Sequence, residues 1–170
     1  MNVPLWVAVP VVVLTALATG ADVRTRRVPN ILTGPALLLG IGAHLALGGT
    51  SGVLGALAGA VVAGLLLFPG WFSGWMGAGD VKLMAAVGAW LAFPLSVYAA
   101  LAALVAGGVI SLVVAARHGI LVQSLRGALL LIPGVLAGGA RTGTPPHSGF
   151  RFPFALAILA GSMFALWRAT

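Results

Sequence analysis

The chain has 170 residues, of which 61% are hydrophobic and 6% charged, with a mean hydropathy of +1.14. That composition excludes a water-soluble globular core and points to a multispanning membrane protein. The absence of cysteine excludes disulfides, a thiolate zinc site and a cysteine nucleophile. The net charge is +7, yet the basic residues lie in short segments between apolar runs, where they orient membrane proteins, rather than on a polar face suited to nucleic acid.

A crossing helix needs about 20 apolar residues, with about 17 tolerable, and backbone hydrogen bonding in lipid makes such segments helical. The apolar runs predict six spans, at residues 4–21, 31–48, 53–69, 79–93, 96–116 and 152–167. The expectation is an all-α, polytopic membrane helix bundle forming a single domain over residues 1–170. The first span ends at Asp22, and a basic loop with Arg24, Arg26 and Arg27 follows. Val28-Pro29-Asn30 opens the second span, since Pro suits the first turn of a helix and Asn caps it well. A Gly-rich turn, Leu47-Gly48-Gly49-Thr50-Ser51-Gly52, joins the second and third spans. The fourth span stops at Phe93-Pro94, so its start must reach back into Gly77-Ala78-Gly79-Asp80 to gain length. Residues 119–140 are apolar enough to suggest a seventh span, but Gly119, Gln123, Arg126 and Gly127 share one helical face and Pro133 breaks the run. An amphipathic helix on the membrane surface is favoured over a span that buries Arg126.

Charge sets the orientation. With six spans, Arg24, Arg26, Arg27, Lys82, Arg117, Arg126, Arg141 and Arg151 fall on one side and Arg168 on the other. The crowded side is cytosolic by the positive-inside rule, which puts both termini outside and both Asp22 and Asp80 near the cytosolic face.

Asp22 and Asp80 are the only acidic residues in the chain. An ionisable group at the edge of an apolar span is expensive and marks a functional site by default. The plainer readings are an interfacial Asp22 paired with Arg24 or Arg26, and an Asp80 favoured by the helix dipole at the start of its span. A joint reading is sharper. Two carboxylates held close share a proton, so the ionised member can take a proton from water while the protonated member polarises a scissile carbonyl. Which one acts as base is a choice of microstate. The glycines at Gly77 and Gly79 let another helix or an extended substrate approach the backbone. His44 reads as a packed or interfacial histidine in the outer half of the second span, since no His or carboxylate stands at metal-ligand spacing from it.

Gly77-Ala78-Gly79-Asp80-Val81-Lys82-Leu83, with Ala85 and Gly88 beyond, resembles the GxGD motif of the type IV prepilin peptidases. The stretch from Asp22 to Asn30 resembles the family's first aspartate motif, and Pro153-Phe154-Ala155-Leu156-Ala157-Ile158 resembles its C-terminal signature. The resemblance implies a membrane-embedded aspartic endopeptidase that cuts the leader from prepilin-like precursors at the cytosolic face of the bacterial cytoplasmic membrane. It implies Asp22 and Asp80 as the catalytic pair, with Gly77, Gly79, Lys82, Arg24, Pro29 and Asn30 binding substrate or shaping the site. Larger members carry a cysteine-bearing cytosolic segment and methylate the new pilin N-terminus. Nothing here corresponds to that segment, so the chain resembles the short form that serves tight-adherence (Flp) pili. Cleavage without methylation, cofactor or metal is expected.

Leaders of this family are basic near the cut, and this chain has no carboxylate to spare for them. Anionic lipid headgroups are therefore expected to gather both partners, leaving Lys82 or an Arg of residues 24–27 to meet the carboxylate released by the cut. Two rival readings accompany this one. In the first, the aspartates relay protons or bind a cation in a small transporter; in the second, they pair with Arg in a structural subunit, which leaves the Gly-x-Gly unexplained.

Overall fold

The computed structural model describes residues 3–72, 74, 76–117 and 154–169. All elements among them are helices: α1 Leu5–Thr25, α2 Asn30–Phe72, α3 Ala78–Leu91, α4 Leu95–Arg117 and α5 Ala155–Arg168. The expected surface helix over 119–140 lies outside the described residues.

The buried face of α1 is a helical stripe. Val7, Val11, Leu14, Ala18 and Asp22 recur at intervals of three or four and are all buried. The helix runs one turn beyond the expected end of the first span. Arg26, in the left-handed region at φ 52°, ψ 33°, closes it by donating its amide to the Asp22 carbonyl at 2.8 Å. Asp22 is therefore in the last helical turn and on the core-facing stripe, not in the loop. Hydroxyls buried on α1 and α5 bond within their own helix: Thr15 Oγ1 donates to the Val11 carbonyl and Ser162 Oγ to the Ile158 carbonyl, each at 2.7 Å.

The second and third expected spans form the two arms of α2. Its one non-helical residue is Gly49, at φ 59°, ψ −150°, which falls inside the expected Gly-rich turn. Contacts with α3 show that the chain reverses there. The first arm runs alongside α3 in the same direction: Lys82 bonds Asn30, Trp90 Nε1 donates to the Ala36 carbonyl at 2.9 Å, and His44 Nε2 donates to the Trp90 carbonyl at 3.0 Å. The second arm runs in the opposite direction, with the Phe93 amide donating to the Gly55 carbonyl at 3.0 Å and Gly59 packed on Gly88. His44 also packs edge-on to Trp6, at 5.1 Å between ring centroids, as expected of a packed histidine.

α3 lies against both arms, and its Leu83, Met84, Ala86, Val87 and Ala89 are fully buried. Backbones approach closely here. A Cβ on Gly59 would meet the Gly88 carbonyl and stand 2.9 Å from Ala92 Cα, and one on Gly88 would stand 2.8 Å from the Gly59 carbonyl carbon. Small residues at such crossings are how membrane helices gain packing without a hydrophobic drive between them.

Among the described residues, three helical segments are long and apolar enough to cross a membrane: Leu5–Thr25, Asn30–Phe72 and Leu95–Val114. At 14 residues each, α3 and α5 are about 21 Å long, against a hydrocarbon core of about 30 Å. The helical character expected of all six spans is thus met, while the short helices at the expected fourth and sixth spans are not by themselves long enough to show six full crossings. The reason for α3 is visible at both ends, where Gly77 and Pro94 bound it.

Gly59→Leu and Gly88→Leu are each expected to destabilise the detergent-solubilised protein by about 1–3 kcal/mol through overpacking. Gly42→Ala, where nothing lies within 4 Å of the added Cβ, should be neutral or stabilising by up to about 1 kcal/mol. Thermal unfolding followed by tryptophan fluorescence would separate the two classes.

Candidate active site

Asp22 and Asp80, about sixty residues apart in sequence, come to the same end of the bundle. Each is 7% exposed. Asp80 is the third residue of α3 and continues its buried stripe through Leu83, Met84 and Val87. Its Oδ2 accepts the amide of Gly77 at 3.0 Å, so the side chain caps the start of its own helix. Asp22 Oδ2 accepts the amide of Ala155, the first residue of α5, at 3.4 Å. The hydrogen bonds of both carboxylates thus come from main-chain amides at helix starts, where the local dipole also favours negative charge. The two carboxylates are near enough that the charge of Asp22 acts on Asp80.

The loop between α1 and α2 ties the two helices together. Val28 is buried and rests on the first turn of α3, where a Cβ on Gly79 would stand 3.1 Å from Val28 Cβ and 3.2 Å from the Val28 carbonyl oxygen. What the bare backbone at Gly79 admits is therefore this loop. Gly77 differs: it is exposed, and an added Cβ would make only ordinary contacts, 3.5 Å to Asp80 Oδ2 and 3.8 Å to the Gly79 nitrogen. One residue beyond Val28, the Pro29 carbonyl accepts the amides of Leu32 and Thr33 and starts α2. Asn30 Oδ1 then accepts Lys82 Nζ at 3.0 Å, a second link between the loop and α3 on the exposed side.

Of the residues singled out from sequence, Asp22, Asp80, Gly77, Gly79, Lys82, Pro29 and Asn30 therefore gather at one bundle end. Arg24 is exposed on the last turn of α1, and no hydrogen bond among the described residues ties it to this group. Two participants escape sequence reasoning. Val28 reads only as part of a helix-opening pattern, and its burial against Gly79 depends on a tertiary contact. Ala155 contributes a backbone amide, for which no side-chain signal exists.

Neither curated proteins nor solved structures gave a match to this chain. A family model described as the type IV leader peptidase family matches residues 8–112, a stretch that holds both aspartates, the Asp22–Asn30 loop and the Gly77–Lys82 turn. That match covers more than half of the chain and agrees with the motif resemblance around Asp22 and Asp80; the protein belongs to the type IV leader peptidase family.

Proposed function

We propose that this family member is a membrane-embedded aspartic endopeptidase whose catalytic pair is Asp22 and Asp80, cutting the leader of Flp-type prepilin-like precursors at the cytosolic face. The observation that carries the proposal is the burial of two carboxylates, from helices distant in sequence, at one end of an apolar bundle. Family membership makes a peptidase the coarse reading and leaves the transporter alternative without support.

The chemistry follows from proximity and burial. Two carboxylates in mutual repulsion hold one proton between them. The ionised oxygen takes a proton from water, and the water oxygen forms a bond to the scissile carbonyl carbon. The protonated partner donates a hydrogen bond to the carbonyl oxygen as it gains charge. When the C–N bond breaks, a proton passes from the pair to the leaving amine, so the pair returns to its starting state with no covalent enzyme intermediate. With Oδ2 of each aspartate engaged by an amide, the other oxygen of each is the one that meets water and substrate.

Exposed Gly77, with no side chain, leaves room for an extended peptide to approach Asp80, and Lys82, bonded to Asn30, is assigned to the carboxylate freed by the cut. Anionic lipid headgroups attract both the basic end of the enzyme and a basic leader. The basic loop after Asp22 supports a cytosolic position for the site in the cytoplasmic membrane, with both termini outside.

Asp22→Asn and Asp80→Asn should each lower cleavage of a co-expressed precursor by at least about 100-fold, the lower end of what acid–base groups contribute. Cleavage is read from the shift in precursor mobility and from the mass of the mature N-terminus, which should be unmethylated. Survival of cleavage in either variant would falsify the paired mechanism. Gly79→Val should abolish activity by driving Val28 off α3. Gly77→Ala, which has room for its methyl group, should retain most of it; equal losses at the two glycines would show that the Gly79–Val28 seat is not what the motif supplies.

A further inference from the structure

Among the described residues, no side chain from its own start caps the N-terminus of α5. Its N-cap residue is Phe154, which makes no side-chain cap hydrogen bond, whereas helix starts ordinarily find a Ser, Thr, Asp or Asn acceptor. Ala155 is fully buried, so water cannot readily supply the missing partner to its amide. Asp22 supplies it from another helix, across 133 positions of sequence. The two aspartates therefore differ in how they are held: Asp80 by an amide three residues away in its own helix start, Asp22 by a helix that meets the α1 stripe from elsewhere in the bundle.

The start of α5 is in turn placed by α4. The Phe154 ring lies over Gly107, where an added Cβ would fall against Phe154 Cε2 and stand 3.0 Å from Cζ and 3.2 Å from Cδ2. At the other end of α5, Arg168 stacks over Tyr98 of α4, 4.3 Å from the ring centroid. We propose that the Ala155 amide is a positioning group for the Asp22 carboxylate, and that α4, through the Gly107–Phe154 seat, sets where that amide lies. The proposal rests on Asp22 being catalytic. It assigns a role in the reaction to a backbone group beyond the residues 8–112 that the family match covers. At 3.4 Å the bond is long, as catalytic hydrogen bonds often are before the substrate is engaged.

The test uses the full chain in lipid vesicles and a purified type IV pilin precursor, with enzyme in excess so that a single turnover is observed. The single-turnover rate constant at saturating enzyme does not depend on the fraction of protein that folded, which separates positioning from loss of structure. Replacing Ala155 by its α-hydroxy counterpart exchanges the amide for an ester, deleting the N–H while keeping the methyl group. That variant should bind precursor with unchanged Kd but cleave at least about 10-fold more slowly, since a displacement of about 1 Å can cost about 100-fold. Ala155→Gly, which keeps the N–H, should stay near the wild-type rate. Gly107→Ala, which pushes Phe154 aside, should also slow the step, and Phe154→Leu in that background should restore part of the rate. A wild-type rate in the ester variant, or equal slowing by the ester and by Ala155→Gly, overturns the role of the amide; a wild-type rate in Gly107→Ala overturns the seat on α4. Asp22→Asn runs alongside: if it cleaves normally, the catalytic reading itself is wrong, whereas an inactive Asp22→Asn beside a fully active ester variant rejects only the positioning role.

Discussion

A carboxylate buried in a bundle this apolar is costly unless donors reach it, and here main-chain amides supply them. Free main-chain amides exist inside such a bundle only at helix starts, where the first turn has no carbonyl to bond. Both aspartates sit at such places, Asp80 against Gly77 and Asp22 against Ala155. This constraint ties the site to the architecture. Three helix ends must converge for two carboxylates to be buried together: the last turn of α1, the first of α3 and the first of α5.

The same economy explains the role of small residues. Helices in lipid gain little from burying apolar surface against one another, so close packing has to supply the cohesion. The Gly59–Gly88 crossing draws α3 into the fold of the α2 arms. Gly79 does the same for the α1–α2 loop, with Val28 in place of a side chain on α3. Here packing and function share residues: the glycine that admits Val28 is next to the aspartate, and Val28 itself follows closely on Asp22 in the chain. Keeping α3 short, bounded by Gly77 and Pro94, sets its first turn at the level of the α1 terminus.

Much of this arrangement is legible in the order of the amino acids. The apolar runs locate the helices, with boundaries off by a few residues where caps decide: Arg26 in the left-handed region carries α1 beyond residue 21, and Gly49 alone turns the chain where the glycine pattern predicts a longer turn. Asp22 and Asp80 fall in register with the buried stripes Val7–Ala18 and Leu83–Val87. Helical periodicity therefore suffices to place both on the core-facing stripes of their helices. The hydrogen bond that holds Asp22 and the contact that seats the loop have no such signal, because Ala155 and Val28 act through backbone and shape.

The medium, the helical class and the two candidate acid–base carboxylates follow from the amino-acid sequence alone. They depend on composition, on local periodicity and on the lack of any other carboxylate. The tertiary structure decided what depends on the meeting of distant segments: that α2 folds back to enclose α3, that Val28 rather than substrate covers Gly79, and that the start of the last helix supplies the amide facing Asp22. Hydrogen bonds from backbone groups and contacts at bare glycines carry no residue-type signature, so only the folded arrangement of the helices reveals them.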